Sequence, residues 1–354
     1  MSEEYFQRLV DPDRLATYLE SELGPVEEYQ LDHHQEGHSN ETIFVTWGAH
    51  DLVVRRPPPG DVAETAHDVL REYHVLDSLQ ETAVPVPRTV LACEDHDVLG
   101  SDFYVMERLR GNVIRSNEPE QYQRPAPRRA IGTELIETLA AIHTVDYEAV
   151  GLGDLGHPPG FTERQVRRWS EQLMWAFEVT AEEREVTELY DVMEWLQSNV
   201  PDSTPSTLVH GDYKLDNVMY AGEDPEIVGV FDWEMSTLGD PFTDLGWLLS
   251  YWWDEGDPDP PEATQTLSAT FMQTEAYQTR QELIDRYEAE TGFTFENDRF
   301  YRALAVYKLA ALGEMFFRRY LEGNSDDPMY PRMREGVPQL AERAQRIIDG
   351  HEPL

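Results

Sequence analysis

The feature that most limits how this chain can fold is a change of texture at Gly111. Before it, short β-prone runs surround one helical pattern; after it, long helical periodicities dominate. Residues 3–23 read as a helix that leads through 24–31 into a first strand. Residues 43–47 and 52–55 read as a hairpin around the turn-rich Gly48-Ala49-His50-Asp51. Three prolines (57–59) and Gly60 stop the second strand. A helix is expected from near Asp61, because Val62, Ala66, Val69, Leu70, Tyr73, Leu76 and Leu79 recur at three- and four-residue spacing. Strands follow at 89–93 and 103–107, joined by the turn-rich 94–102. Helical patterns then cover 129–145, 164–199, 262–290, 298–321 and 335–348. Between 207 and 253 they give way to short apolar runs at 207–209, 217–220 and 227–231, bounded by glycine and aspartate. Residues 255–261 read as a solvated connection. The pattern predicts an α+β chain of two lobes with a cleft between them: a small β-rich lobe over 1–108 and a larger, mainly helical lobe over 109–354.

The chemistry-bearing stretch is Leu208-Val-His210-Gly211-Asp212-Tyr213-Lys214-Leu215-Asp216-Asn217-Val218-Met219, followed by Val228-Gly-Val-Phe231-Asp232-Trp233-Glu234. Asp212 and Asn217 are five apart, the spacing at which one loop offers both a base for a substrate hydroxyl and an amide oxygen for magnesium. Asp232, 20 residues beyond Asp212, ends a β-like run where a second magnesium ligand is expected. Magnesium prefers hard oxygens and takes only one or two protein carboxylates, leaving the rest to water and phosphate. One aspartate and one asparagine fit that need. Turn propensity alone explains single Asp and Asn residues, but not the joint spacing between apolar strands.

HGDYKLDNVM with VFDWE resembles the aminoglycoside phosphotransferase and choline kinase-like family, whose fold is protein-kinase-like. VVRRPPPG, AHDVLREYHVLDSL, VPVPRTVLACED and FYVMERLRGNVI extend the likeness, over about residues 25–320, to the subfamily related to kinase domains fused to acyl-CoA dehydrogenases. The resemblance implies a bilobal fold with a nucleotide-binding lobe over 1–108 and a catalytic and substrate lobe over 109–354. It implies ATP and magnesium as cofactors and a small-molecule hydroxyl as phosphate acceptor, with a hydroxyacyl thioester as the acceptor class the subfamily suggests. Asp212 would be the catalytic aspartate, Asn217 and Asp232 the magnesium ligands. Glu72 would pair with the strand-borne cation that grips phosphates. That cation is usually lysine; here the position reads Arg55, with Arg56 as the alternative because adjacent strand residues face opposite sides. The loop around Gly37, Ser39 and Asn40 would contact phosphates, although it is no Gly-rich GxGxxG, and the backbone at Glu107 would meet the adenine. Lys214 would stabilise charge on the transferring phosphoryl group.

Composition narrows the partners. Lys+Arg is 28 against 69 Asp+Glu, a formal charge of −41, which repels nucleic-acid backbones and anionic membrane surfaces. Yet 40% hydrophobic residues are too many for a disordered acidic chain. Only Lys214 and Lys308 are lysines; the remaining basic residues are arginine. Carboxylates in excess with almost no lysine describe a surface adapted to multimolar salt, where screening erases most self-repulsion. A halophilic, haloarchaeal source and a cytoplasmic location are expected. The longest uncharged apolar run, 245–253, is too short to cross a membrane, the acidic N-terminus is unlike a signal peptide, and a single cysteine, Cys93, excludes an internal disulfide. Nothing in the sequence points to an oligomeric state.

Other residues carry plainer expectations. His210 is read as ordering its loop, Asp240 and Asp244 as bracing it, and Cys93 as a small buried hydrophobe. Trp247, Trp252, Trp253, Phe316 and Phe317 are read as core, with some available to line an acceptor pocket. Glu234 is either a core-edge carboxylate or a substrate contact. His33, His34 and His38 lack the partners of a metal site. The competing function is a non-catalytic nucleotide-binding regulatory module of the same fold; retention of all three polar site residues argues against it. Hydrolysis of the nucleotide or a phosphoester would use the same site.

Overall fold

The computed structural model describes residues 3–34, 40–59, 68–202, 204–257, 260, 264, 269–274, 276–325, 327–352 and 354. The chain forms two units. One comprises Met1–Gly111, Ala149–Leu152 and Val228–Met235; the other comprises Asn112–Glu148, Gly153–Ile227 and Ser236–Leu354.

The first unit contains α1 (Glu3–Leu9), α2 (Pro12–Leu23), β1 (Tyr29–His34), β2 (Glu41–Trp47), β3 (His50–Arg56), α3 (Val69–Ser78), β4 (Thr89–Cys93), α4 (His96–Leu99) and β5 (Phe103–Glu107). The single helix expected over 3–23 is two. Asp11 ends the first and caps the second, its carboxylate accepting from Asp13 N and Arg14 N at 3.1 Å, with Pro12 at the first helical position. The strands form one antiparallel sheet in the order β1-β2-β3-β5-β4. Trp47 pairs with His50, so the four-residue turn expected there contracts to Gly48-Ala49, with Gly48 in the left-handed region at φ 58°. Ile43, Val45 and Trp47 alternate onto one face and pack with Leu9, Leu15, Leu19, Phe103 and Val105. The turn at 94–102 contains α4, capped by Asp95 and closed by Gly100 at φ 79°. The expected start of the next helix near Asp61 lies outside the described residues; α3 itself is capped by Asp68, which accepts from Arg71 N at 2.9 Å.

The second unit contains α5 (Pro125–His143), α6 (Phe161–Thr180), α7 (Glu188–Ser198), β6 (Thr207–Val209), β7 (Val218–Ala221), β9 (Thr237–Gly239), α8 (Phe242–Tyr251), α9 (Arg280–Thr291), α10 (Asp298–Leu321) and α11 (Met333–Ile348); β8 (Glu226–Val230) carries the chain out of it. α10 is buried along most of its length and packs against α6, α8 and α11. β6 pairs antiparallel with β9, which fixes the start of the loop between β6 and β7. Two expectations fail locally. The pattern over 164–199 divides into α6 and α7. The helix expected over 262–290 begins only at Arg280, because Thr279 and Glu282 form a reciprocal capping box there; among the described residues before it, 270–272 form a single 3-10 turn. Asp257, expected in a solvated connection, instead grips the buried Arg280 through both oxygens at 2.6 and 2.9 Å.

Candidate active site

In the second unit, the segment from His210 to Asn217 leaves β6, turns at Gly211 (φ 85°) and enters β7 through a 3-10 turn over Leu215–Asn217. Asp244, one turn into α8, holds its start. Its carboxylate accepts from His210 N at 2.6 Å and Gly211 N at 2.9 Å. His143 of α5 lies 3.3 Å from the same carboxylate through Nε2 and 2.7 Å from the Tyr287 hydroxyl through Nδ1. Burial pushes the Asp244 carboxyl up, but His143 and the backbone donors outweigh it and hold it below the usual carboxylate range. Asp244 therefore braces the loop as expected. Asp240 does not touch it: its partners are the Thr162 and Tyr301 hydroxyls, both at 2.8 Å, and Phe242 N, so it ties α6, α8 and α10 together. His210 is fully buried, and its Nδ1 accepts from Asp212 N at 3.2 Å, an ordering role.

Asp212 is held at both oxygens. Trp247 Nε1 donates to Oδ1 at 2.8 Å; Lys214 Nζ and Asn217 Nδ2 donate to Oδ2 at 2.5 and 2.9 Å. Burial raises its pKa, but Lys214 and Lys308 overcome that and hold it below the ordinary value, so the group stays ionised. The side chain is nonetheless 20% exposed, which leaves an approach from solvent. Asn217 Nδ2 also donates to Asp212 O at 2.8 Å. With its nitrogen fixed on Asp212, the amide keeps Oδ1, a hard oxygen suited to magnesium, on its other side.

The first unit assembles a separate group. Arg55 on β3 places Nη2 3.4 Å from Glu72 Oε2 of α3 and 3.9 Å from Asp232 Oδ1, and its Nη1 donates to Thr42 Oγ1 at 3.0 Å. Burial disfavours the Arg55 charge, but Glu72, Tyr104 and Asp232 more than offset it and raise its pKa. Arg56 points the other way, donating to Leu9 O and Leu99 O, so Arg55 is the arginine that faces Glu72. Asp232 has φ 65°, in the left-handed region that aspartate tolerates better than most residues. Asn40 is 5% exposed, and neither of its side-chain amide atoms has a partner among the described residues. Gly37, Ser39 and His38 lie outside those residues. Glu107 donates its backbone N–H to Arg88 O at 2.8 Å.

The plainer expectations resolve as well. Trp252, Trp253 and Phe317 are buried, and Phe316 stacks on Tyr330. Cys93 is buried. Glu234 offers its backbone carbonyl to Arg71 at 3.3 Å, and His33 pairs with Glu41 at 2.9 Å. Among the described residues no three His, Cys, Asp or Glu side chains gather into a metal cage. The residues present still fit magnesium, which needs few protein ligands.

Two residues at Asp212 escaped the sequence reading. Trp247, read as core, is buried but spends its indole N–H on Asp212. Lys308, on α10, donates to Gly211 O at 2.6 Å and lies 3.9 Å over the Trp247 ring. The signal was available: both lysines of a chain that otherwise uses arginine meet at this loop.

Comparison with known proteins identifies the family and the fold. The model of the phosphotransferase enzyme family (APH) matches residues 32–283. Acyl-CoA dehydrogenase family member 11 of Rattus norvegicus is 34% identical over 82% of this chain, which corresponds to 37% of that protein; the chain thus spans well under half of that relative's length. A solved structure from Ralstonia eutropha, given as a candidate aminoglycoside phosphotransferase, is 29% identical, with TM-score 0.79 over 95% of this chain and 99% of its own. The GDP complex of aminoglycoside 2'-phosphotransferase-IIIa, at 14% identity and TM-score 0.64 over 94% of this chain and 99% of its own, shares the fold. A β-sheet unit, a helical unit and a family match over most of the sequence give one conclusion: this chain belongs to the phosphotransferase enzyme family.

Proposed function

We propose that the protein transfers the γ-phosphoryl group of ATP to a hydroxyl of a small molecule, with residues 1–108 as the nucleotide-binding lobe and 109–354 as the catalytic and substrate lobe. One observation carries the reading: Asp212 is kept ionised and held at both oxygens by Trp247, Lys214 and Asn217, yet remains open to solvent. A carboxylate so fixed is prepared to orient an alcohol and accept its proton as the oxygen–phosphorus bond forms and ADP departs. Lys214 neutralises charge on the moving phosphoryl group. Asn217 and Asp232 would hold magnesium, which when bound supplies charge neutralisation at the phosphates. Arg55, anchored by Glu72, would grip the phosphates. Gly37, Ser39 and Asn40 would complete the phosphate contacts, with Asn40 supported by a buried amide that has no partner among the described residues. The backbone carbonyl side at Glu107 is left for adenine, since its N–H is committed to Arg88 O. The mammalian relative is named as an acyl-CoA dehydrogenase family member, which points to the acyl thioester class, and a hydroxyacyl thioester is the member of that class with a hydroxyl to accept phosphate. The composition supports a cytoplasm rich in salt and a halophilic source.

The test is ATP consumption with magnesium at multimolar KCl over a library of hydroxylated metabolites that includes hydroxyacyl thioesters. Asp212→Asn should lower kcat by about 10²–10⁴-fold while ATP binding, followed by calorimetry, stays close to wild type. Unchanged turnover in that variant removes the proposed base. ATP binding without acceptor-dependent ADP release would favour the non-catalytic module.

A further inference from the structure

Lys308 lies among three partners of the second unit. Its ammonium donates to Gly211 O at 2.6 Å, sits 3.9 Å over the Trp247 ring on α8 and 5.4 Å from the Trp169 ring on α6. The charges bearing on it are Arg168 from α6, Asp244 from α8, and Asp212 and Lys214 from the loop. A compact ammonium meets one carbonyl end-on and lies flat against an indole; a guanidinium is a planar fork with different reach. This chain uses arginine at every basic position except two, so a lysine here satisfies a geometric demand that arginine meets poorly.

We propose that Lys308 is a positioning residue for Asp212, acting through two arms: its bond to Gly211 O fixes the backbone that enters Asp212, and its cation–π contact fixes the indole whose Nε1–H holds Asp212 Oδ1. The inference rests on the reading of Asp212 as base given above, and it extends that reading to a residue 97 positions from Gly211 in sequence. Both arms converge on Asp212, one on the backbone that enters it and one on its carboxylate, so losing the charge on Lys308 loosens both supports at once. Misplacing a reacting group by about 1 Å costs on the order of 10²-fold in rate. The aromatic surroundings also strip water from the ammonium, and this burial lowers its pKa to about 8 against the opposing pull of Asp212 and Asp244. The ammonium is therefore charged below that pH and loses its charge as pH rises through it. Asp212 is already ionised across this range, so an alkaline fall in kcat near pH 8 would belong to Lys308.

Tryptophan emission provides a readout that does not need turnover. The wild-type protein should show a titration step near pH 8 that is lost in Lys308→Met and diminished in Trp247→Phe. In Asp212→Asn its midpoint should move to lower pH, because a carboxylate that favours the ammonium has gone. In turnover, Lys308→Met should lower kcat by about 10²-fold with KM for ATP within about twofold. Lys308→Arg should recover part of kcat and abolish the alkaline limb, because its charge does not titrate. A step that ignores Asp212→Asn, an unchanged kcat in Lys308→Met, or equal losses of kcat, ATP affinity and melting temperature would overturn the assignment. If the wild-type chain transfers phosphate to no alcohol while the step still follows Asp212→Asn, the reading of the function fails and the link from Lys308 to Asp212 stands.

Discussion

At Asp244, two opposed effects of burial meet. Removal from water disfavours the carboxylate, yet two backbone N–H groups and His143 supply enough attraction to hold it ionised. Removing the carboxylate would strand both amides at the start of the His210–Asn217 loop. Asp244→Ala should therefore cost about 3 kcal/mol of stability near neutral pH, as measured by urea unfolding. The pH dependence follows from the sign of the shift. The folded pKa lies below the ordinary aspartate value of 3.8, so the stabilisation is present above that value and fades as pH falls through the folded one. The deficit of Asp244→Ala should shrink below about pH 4. A deficit equal in acid and at pH 7 would show that the carboxylate's charge is not what holds the loop. The same residue illustrates what was legible in sequence: the family resemblance implied a bracing role for both Asp240 and Asp244, which holds for Asp244, whereas the different task of Asp240, four residues earlier, depended on Thr162 and Tyr301, which lie far away in sequence.

Among the elements, α8 and α10 carry the supports of Asp212, and their approach depends on Gly246. A Cβ at that position would meet Tyr301 O at 2.7 Å and Tyr301 C at 2.8 Å, backbone atoms that cannot rotate away. Gly246→Ala gains about 1 kcal/mol of helix propensity but must push two helices apart, which costs about 1–3 kcal/mol. The net expectation is destabilisation by about 1 kcal/mol, together with a fall in kcat, because Trp247 and Lys308 sit on the two displaced helices. A variant more stable than wild type by thermal unfolding would show that the helices have room to spare. The elements themselves were largely readable from periodicity: the fourth and fifth strands and α10 lie where their patterns put them. Breaks were harder. Those at Asp11 and Thr279 were set by capping side chains, whose competing hydrogen bonds interrupt a helical pattern that hydrophobic spacing alone would continue.

For the molecule as a whole, the dominant quantity is the charge of −41. At low ionic strength so many carboxylates repel one another across the surface; at 1 M salt the Debye length is about 3 Å and the repulsion is mostly screened. The melting temperature should therefore rise steadily from 0.1 to 2 M KCl, on the order of 10 °C or more, given that a few kcal/mol moves a domain of this size by several degrees. A melting temperature that is flat or falls with KCl would contradict the proposed adaptation to salt.

The sequence by itself determined what depends on short spacing. This includes the strand-rich beginning, the helical remainder, the Asp212–Asn217 loop and the chemical class that loop implies, because apolar period and motif spacing are properties of neighbouring residues. Only the tertiary structure decided which distant side chains close around that loop. Trp247 is 35 residues from Asp212 and Lys308 is 97 from Gly211. Helical periodicity says which face of each helix is buried, but the identity of the group it is buried against is fixed only when packed helices choose their neighbours.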